Sequence, residues 1–203
     1  QMCIRDRFTT AAGMVAITEK HLNDKFSQNL DKSNVVILGG TGPVGVASAV
    51  ICAKAGANVT LVGRSLEKAE KIAGICNDRY DSKNVKGGAD ADKSDFFNAA
   101  DIVLNTGAAG IQLMNEEHIK NSNTLKICAD TNAVPPSGIA GVDVMDNGKV
   151  IDMSPSKCLG IGALAIGNIK YKSQHECLKL MYTSEKPVYL DFEDAFKFAQ
   201  KSV

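Results

Sequence analysis

The densest chemical signal in the chain is the run Gly39-Gly40-Thr41-Gly42-Pro43-Val44-Gly45. From Gly40 to Gly45 it fits G-x-G-x-x-G. The first glycine of that pattern permits a tight turn, the second lets the backbone approach a pyrophosphate, and the third allows a helix to pack closely on a strand. Val35-Val36-Ile37-Leu38 precedes the run and reads as a strand buried on both faces. A helix from about Pro43 to Ala55 follows, closed by Gly56. Pro43 at the first helical position gives up only an N–H that would lack a partner there, and the remaining amides and the positive dipole end face an anion. This strand–turn–helix setting gives an otherwise weak motif its meaning, and Gly40, Thr41, Gly42, Pro43, Val44 and Gly45 form the expected phosphate cradle. A nucleoside-triphosphate loop is excluded, because Val46-Ala47 follows where Lys-Ser/Thr is required.

The end of the second strand distinguishes two dinucleotides. A site for NAD places an acid there to accept from the ribose 2′-hydroxyl. This chain has Val62-Gly63-Arg64-Ser65. Arg64 can pair with a 2′-phosphate in forked geometry, Ser65 can donate to it, and Lys68 lies one helical turn on. The expectation is NADP. Two further small-residue segments, Asn105-Thr106-Gly107-Ala108-Ala109-Gly110 and Asp130-Thr131-Asn132-Ala133, end later strands at the same edge. Thr106, Gly107, Ala108 and Asn132 are expected beside the nicotinamide half of the cofactor.

These residues need a scaffold, and the rest of the pattern supplies one. Thr9 to about Leu22 reads as a helix capped by Thr9 or Thr10, with Asn23 to Ser33 as an exit loop with room for one more helical turn. Asn58–Gly63 is a second strand, and Ser65 caps the helix after it. Asn84-Val85-Lys86 is a weak strand, Ser94–Ala100 a short helix, and Asp101–Asn105 and Leu125–Asp130 are two more strands. The alternation implies an α/β fold, a doubly wound parallel sheet (Rossmann) with extra C-terminal helices. Val142–Met153 reads as a hairpin turning at Asp146-Asn147-Gly148. Gly160 to about Met181 and Leu190 to Lys201 read as helices, the last with Phe192, Ala195, Phe196 and Ala199 on one side.

The composition removes several classes of function. Lys plus Arg and Asp plus Glu each number 23 of 203 residues, so no basic excess attracts nucleic acid or an anionic membrane. No apolar run approaches the ~20 residues that span a bilayer. Six scattered cysteines and three scattered histidines lack zinc spacing, and a metal site is not expected. The cysteines read as reduced, buried thiols of a cytoplasmic protein.

Three stretches carry a specific resemblance. They are Val36-Ile37-Leu38-Gly39-Gly40-Thr41-Gly42-Pro43-Val44-Gly45, Gly63-Arg64-Ser65-Leu66-Glu67-Lys68-Ala69, and Ala129-Asp130-Thr131-Asn132-Ala133-Val134-Pro135-Pro136-Ser137-Gly138-Ile139. With Thr106–Gly110 and Leu159–Gly167, they resemble the NADP-dependent methylene-tetrahydromethanopterin and methylene-tetrahydrofolate dehydrogenases, over roughly Thr9 to Val203. The resemblance implies hydride transfer between NADP and the one-carbon unit on a reduced pterin held between two domains. It implies a homo-oligomer, and an N-terminal substrate domain that is missing from this chain. It places Lys170 as the residue facing the cleft, as electrostatic help to the pterin, and matches Lys172 in type, while His175 is displaced by one place from the family's histidine.

The resulting organisation is residues 1–7 as a remnant, 8–30 as an interdomain helix and linker, and 31–170 as the NADP-binding domain. Residues 171–203 are C-terminal helices packing back toward the missing domain. Two alternatives stay open. Tyr182-x-x-x-Lys186 has the spacing of a short-chain dehydrogenase pair, although Pro187 and Thr183-Ser184-Glu185 oppose the continuous helix that pair needs. The other is an NADP-binding module without turnover.

Overall fold

The computed structural model describes residues 7–203. The order is α1 (Arg7–Phe26), β1 (Asn34–Leu38), α2 (Pro43–Lys54), β2 (Asn58–Gly63), α3 (Leu66–Tyr80), β3 (Val85–Ala89) and a 3₁₀ turn at Asp90–Asp92. There follow α4 (Lys93–Asn98), β4 (Ile102–Asn105), α5 (Glu116–Asn121), β5 (Ile127–Asp130), β6 (Asn147–Val150), β7 (Leu159–Ile161), α6 (Ala163–Thr183) and α7 (Phe192–Gln200). The strands form one sheet in the order β3-β2-β1-β4-β5-β7-β6. Every neighbouring pair is parallel except β6 with β7. This is the doubly wound Rossmann-like sheet, and its order reverses between β1 and β4.

Why the strands read as unbroken apolar runs is visible in the packing. On β1, Val35 and Ile37 face a core shared with α1, α2, α6 and α7, whereas Val36 and Leu38 face the opposite core with Phe97, Met114 and Ile119. The same division holds on β4, with Ile102 and Leu104 on one side and Val103 on the other, and on β5, with Cys128 opposing Ile127 and Ala129. Each of these side chains leaves water entirely or nearly so, at roughly 1.5–3 kcal/mol for a large aliphatic group.

Several boundaries differ from the sequence reading. Among the described residues α1 already includes Arg7, so Thr9 and Thr10 lie inside the helix rather than capping it, and the Thr9 hydroxyl is buried. Apart from Arg7, residues 1–7, Cys3 among them, lie outside the described residues. The extra turn admitted after Leu22 is present, to Phe26. α5 fills the crossover between β4 and β5, a helix without an assigned span in the sequence.

The hairpin at Val142–Met153 is not formed. Asn147–Val150 is itself a strand, β6, which pairs antiparallel with β7. Gly148, read as a turn residue, sits in that strand at φ +77° where the register shifts. A Cβ there would lie 2.4 Å from the His21 ring, so glycine serves a bulge against α1. Gly160 lies in β7, and the helix starts only after Gly162. A break at residue 170 falls inside α6. The last amphipathic helix is as expected, with Phe192, Ala195 and Ala199 buried on one side.

Cys52, Cys76, Cys128, Cys158 and Cys177 are buried free thiols. Burial pushes Cys52 up to about 12 and also raises Cys76, Cys128 and Cys177, so these thiols are poor nucleophiles.

Candidate dinucleotide site

The turn after β1 is fixed from three sides. The Gly40 amide donates to the Val62 carbonyl at 3.0 Å, tying the turn to β2. Thr106 donates through both its amide and its hydroxyl to the Leu38 carbonyl, each at 2.9 Å, tying it to the segment after β4. Gly39, at φ +65°, meets Gly107 backbone to backbone, since a Cβ on Gly39 would lie 2.7 Å from the Gly107 α-carbon.

The motif glycines have different reasons to be bare. A Cβ on Gly40 would lie 2.7 Å from a Leu61 methyl, and one on Gly45 would lie 2.6 Å from the Gly40 α-carbon. Those two are bare because protein fills the space. Gly42 differs. Its φ of −80° suits any residue, and a Cβ there would meet only the Gly39 carbonyl oxygen, at 3.2 Å. Conformation does not demand glycine at this N-cap position, and the one close contact a Cβ would make, with a backbone oxygen, is tight. No side chain caps that helix, and Pro43 starts it. The first-turn amides therefore have no side-chain cap, which suits a phosphate.

At the end of β2 a Cβ on Gly63 would lie 2.8 Å from the Thr41 methyl, so Gly63 makes room for the Thr41 side chain. Ser65 caps α3, its hydroxyl oxygen accepting from the Lys68 amide at 3.3 Å. Arg64, Ser65 and Lys68 are all exposed at one corner of the carboxyl edge. The structure thus brings the motif residues, Thr106 and Gly107 together directly, with Ala108 exposed on the same loop.

Asn132 is buried, and its side chain is committed to its own surroundings. Its Oδ1 accepts from the amides of Val134 (2.9 Å) and Gly110 (3.3 Å), and its Nδ2 donates to the Pro136 carbonyl at 2.8 Å. Two residues given no role in the sequence reading join it. Asn105 and Asp130 end β4 and β5 in register, are buried, and are linked by a 2.7 Å hydrogen bond from Asn105 Nδ2 to Asp130 Oδ1. The signal that marks them is two polar residues at matching ends of adjacent apolar strands.

Lys170 lies on α6. It is half-buried on α6 where that helix crosses α1, and a Cβ on Gly13 would lie 2.9 Å from the Lys170 amide nitrogen. Lys172 donates to the Ser202 carbonyl at 3.2 Å. Tyr182 is 92% exposed, and α6 ends at Thr183, so Tyr182 and Lys186 do not share a helix face. Among the described residues no group of His, Cys, Asp or Glu is arranged to hold a metal ion, and no helix is long and apolar enough to cross a membrane.

No protein-family model matches the chain. Among solved structures, the transhydrogenase of Sinorhizobium meliloti is similar at TM-score 0.58 and 16% identity, over 82% of this chain and 52% of that one. Quinate dehydrogenase of Corynebacterium glutamicum, in complex with NAD, is similar at TM-score 0.57 and 15% identity, over 91% of this chain and 61% of that one. At such identities the likeness concerns the fold. Sequence similarity reaches further. The bifunctional protein MdtA of Methylorubrum extorquens is 35% identical over 196 residues, which is 95% of this chain and 65% of the relative. The NAD(P)-dependent methylenetetrahydromethanopterin dehydrogenase of the same organism is 39% identical over 195 residues, again 95% of this chain and 65% of the relative. The resemblance read from the glycine turn and the later segments therefore holds: over nearly all of its own length, and 65% of the relative's, this chain is similar to an NAD(P)-dependent methylenetetrahydromethanopterin dehydrogenase.

Proposed function

We propose that the chain binds NADP at the carboxyl edge of its sheet and supplies the cofactor half of a methylene-tetrahydropterin dehydrogenase. The observation that carries the reading is the N-terminus of α2, which follows the glycine turn, starts at Pro43 and has no side-chain cap, with Gly42 at the N-cap position in a conformation that does not require glycine. Gly40 and Gly45 shape the cradle, Thr41, Pro43 and Val44 complete it, and Arg64, Ser65 and Lys68 bind the 2′-phosphate. Thr106, Gly107 and Ala108 border the nicotinamide half, with Asn132 holding the neighbouring loop. When bound, NADP gives or takes the hydride, and the protein binds and orients the two rings.

The second substrate is a reduced pterin carrying a methylene unit, a reading supported by the similarity to the dehydrogenase relative. Lys170 on α6 gives that pterin electrostatic help. Residues 8–30 and 171–203 form the layer that meets the substrate-binding part of the enzyme. Self-association belongs to the same reading through the family resemblance, and a cytoplasmic location through the unpaired buried thiols.

The test is spectrophotometric. A protein containing this chain with the additional third found in the relatives, given NADP and methylene-tetrahydromethanopterin or methylene-tetrahydrofolate, should develop NADPH absorbance. Silence with both pterins contradicts the proposal.

A further inference from the structure

We propose that Asn105 and Asp130 are a positioning pair that sets the nicotinamide side of the dinucleotide site. The proposal rests on the NADP reading above. Asn105 and Asp130 are 0% and 1% exposed. Asp130 Oδ1 accepts from Asn105 Nδ2 at 2.7 Å and from the Asn132 amide at 2.9 Å, and Oδ2 accepts from the Ile139 amide at 3.0 Å. Asn105 Oδ1 accepts from the Gly107 amide at 3.0 Å. Through Asn132 the network also holds the amides of Gly110 and Val134.

Apart from the Asn105–Asp130 link itself, which joins the last residues of β4 and β5, each bond ends on a loop amide, and the ladder already holds β4 to β5. The two loops are the one after β4 and the one after β5. They are zipped further along by Leu113 and Met114, whose amides both donate to the Gly138 carbonyl, at 2.8 and 3.0 Å. Gly138 is bare because a Cβ there would fall 1.8 Å from Asn105 Nδ2.

Buried polar pairs cost desolvation, and apolar residues of similar size would fill such a site at less cost. What this pair supplies is a fixed position for two loops. In a doubly wound sheet the adenosine half lies toward the end of β2 and the nicotinamide half across the order reversal, which here is toward β4 and β5. Asn105 and Asp130 therefore act on one half of the cofactor only, through the Gly107, Gly110 and Asn132 backbone. Their own polar atoms face inward and take no part in chemistry.

That asymmetry gives the test. In Asp130→Asn one carboxylate oxygen becomes an NH₂ that faces an N–H donor in either amide orientation. Gly138→Ala displaces the Asn105 amide without removing any polar group, and serves where Asp130→Asn fails to fold. Calorimetry is run on the full chain with NADP and, separately, with adenosine 2′,5′-bisphosphate, which carries only the adenosine half. The expected result is an NADP affinity about 10-fold lower, the loss of one or two hydrogen bonds of about 1 kcal/mol each, with bisphosphate affinity unchanged. The double variant Asn105→Asp/Asp130→Asn, which rebuilds the link with donor and acceptor exchanged, should recover part of the loss. Equal weakening of both ligands, or of neither, overturns the positioning role while leaving the NADP reading standing. Failure of the native chain to bind NADP overturns both.

Discussion

Gly45 lies against Gly40 so closely that a Cβ on Gly45 would sit 2.6 Å from the Gly40 α-carbon. This contact seats the first turn of α2 on the end of β1. Gly45→Ala should therefore lower stability itself, by about 1–3 kcal/mol as an overpacked core position. In a chain of this size that is roughly 2–4 °C of Tm per kcal/mol. A thermal melt within 1 °C of native, by that same scaling, would show that the contact is loose.

Arg64 should determine which dinucleotide binds. It is exposed, so Arg64→Ala should leave the melt unchanged. Charge-assisted hydrogen bonds of about 1.5–3 kcal/mol predict an NADP affinity lower by roughly 10- to 100-fold, with NAD affinity little altered. Parallel titrations with the two cofactors check this, and equal effects on both would remove Arg64 from the 2′-phosphate.

His118 should make the protein acid-sensitive. It closes a capping box on α5, its amide donating to Asn115 Oδ1 at 3.0 Å and its ring Nδ1 accepting from the Asn115 amide at 3.1 Å. Burial lowers its pKa below the usual histidine value and Lys93 adds to the lowering, while Glu117 and Asp90 oppose it. A depressed folded pKa means that the unfolded chain binds the proton first as pH falls. The contribution is complete above pH about 6.5, the ordinary histidine value, and is lost as pH falls through the folded pKa. In His118→Gln, which keeps a side chain able to close the box, the fall in Tm between pH 7.5 and 5.5 should be shallower than in the native protein. Superimposable profiles would show that His118 is not responsible.

Gly13 should matter through α6. With the Lys170 amide 2.9 Å and the Ile166 carbonyl oxygen 3.1 Å from a would-be Cβ, Gly13→Ala must push α1 and α6 apart. The expected cost is again about 1–3 kcal/mol. In the assembled enzyme the pterin KM should also rise, because Lys170 moves with its helix. A normal melt with unchanged kinetics would uncouple the crossing from the site.

What could be read from the sequence, and what could not, divides by the range of the interactions. The β1–turn–α2 unit is legible because its glycines, its proline and the flanking apolar run act within a few residues of one another. Ser65 as a cap is legible for the same reason. Gly148 is not. Asp-Asn-Gly has the composition of a hairpin turn, and only the His21 ring, brought in by a distant helix, makes this glycine a bulge residue in β6. The roles of Asn105 and Asp130 are likewise invisible until β4 and β5 are paired in register. The role of Lys170 comes from the resemblance, and the packing of α6 on α1 gives it a setting.

The central claim is that the turn after β1 holds a phosphate at the N-terminus of α2, and Gly42 tests it most directly. The measurement is calorimetric titration of the native chain and of Gly42→Ala with NADP, each beside a thermal melt. Because a Cβ at residue 42 meets only the Gly39 oxygen, the variant should melt within about 3 °C of native, the shift expected from less than 1 kcal/mol. Its NADP affinity should fall by at least about 10-fold, equivalent to 1.4 kcal/mol or more. Unchanged affinity in the variant, or no NADP binding by the native chain, would contradict the account.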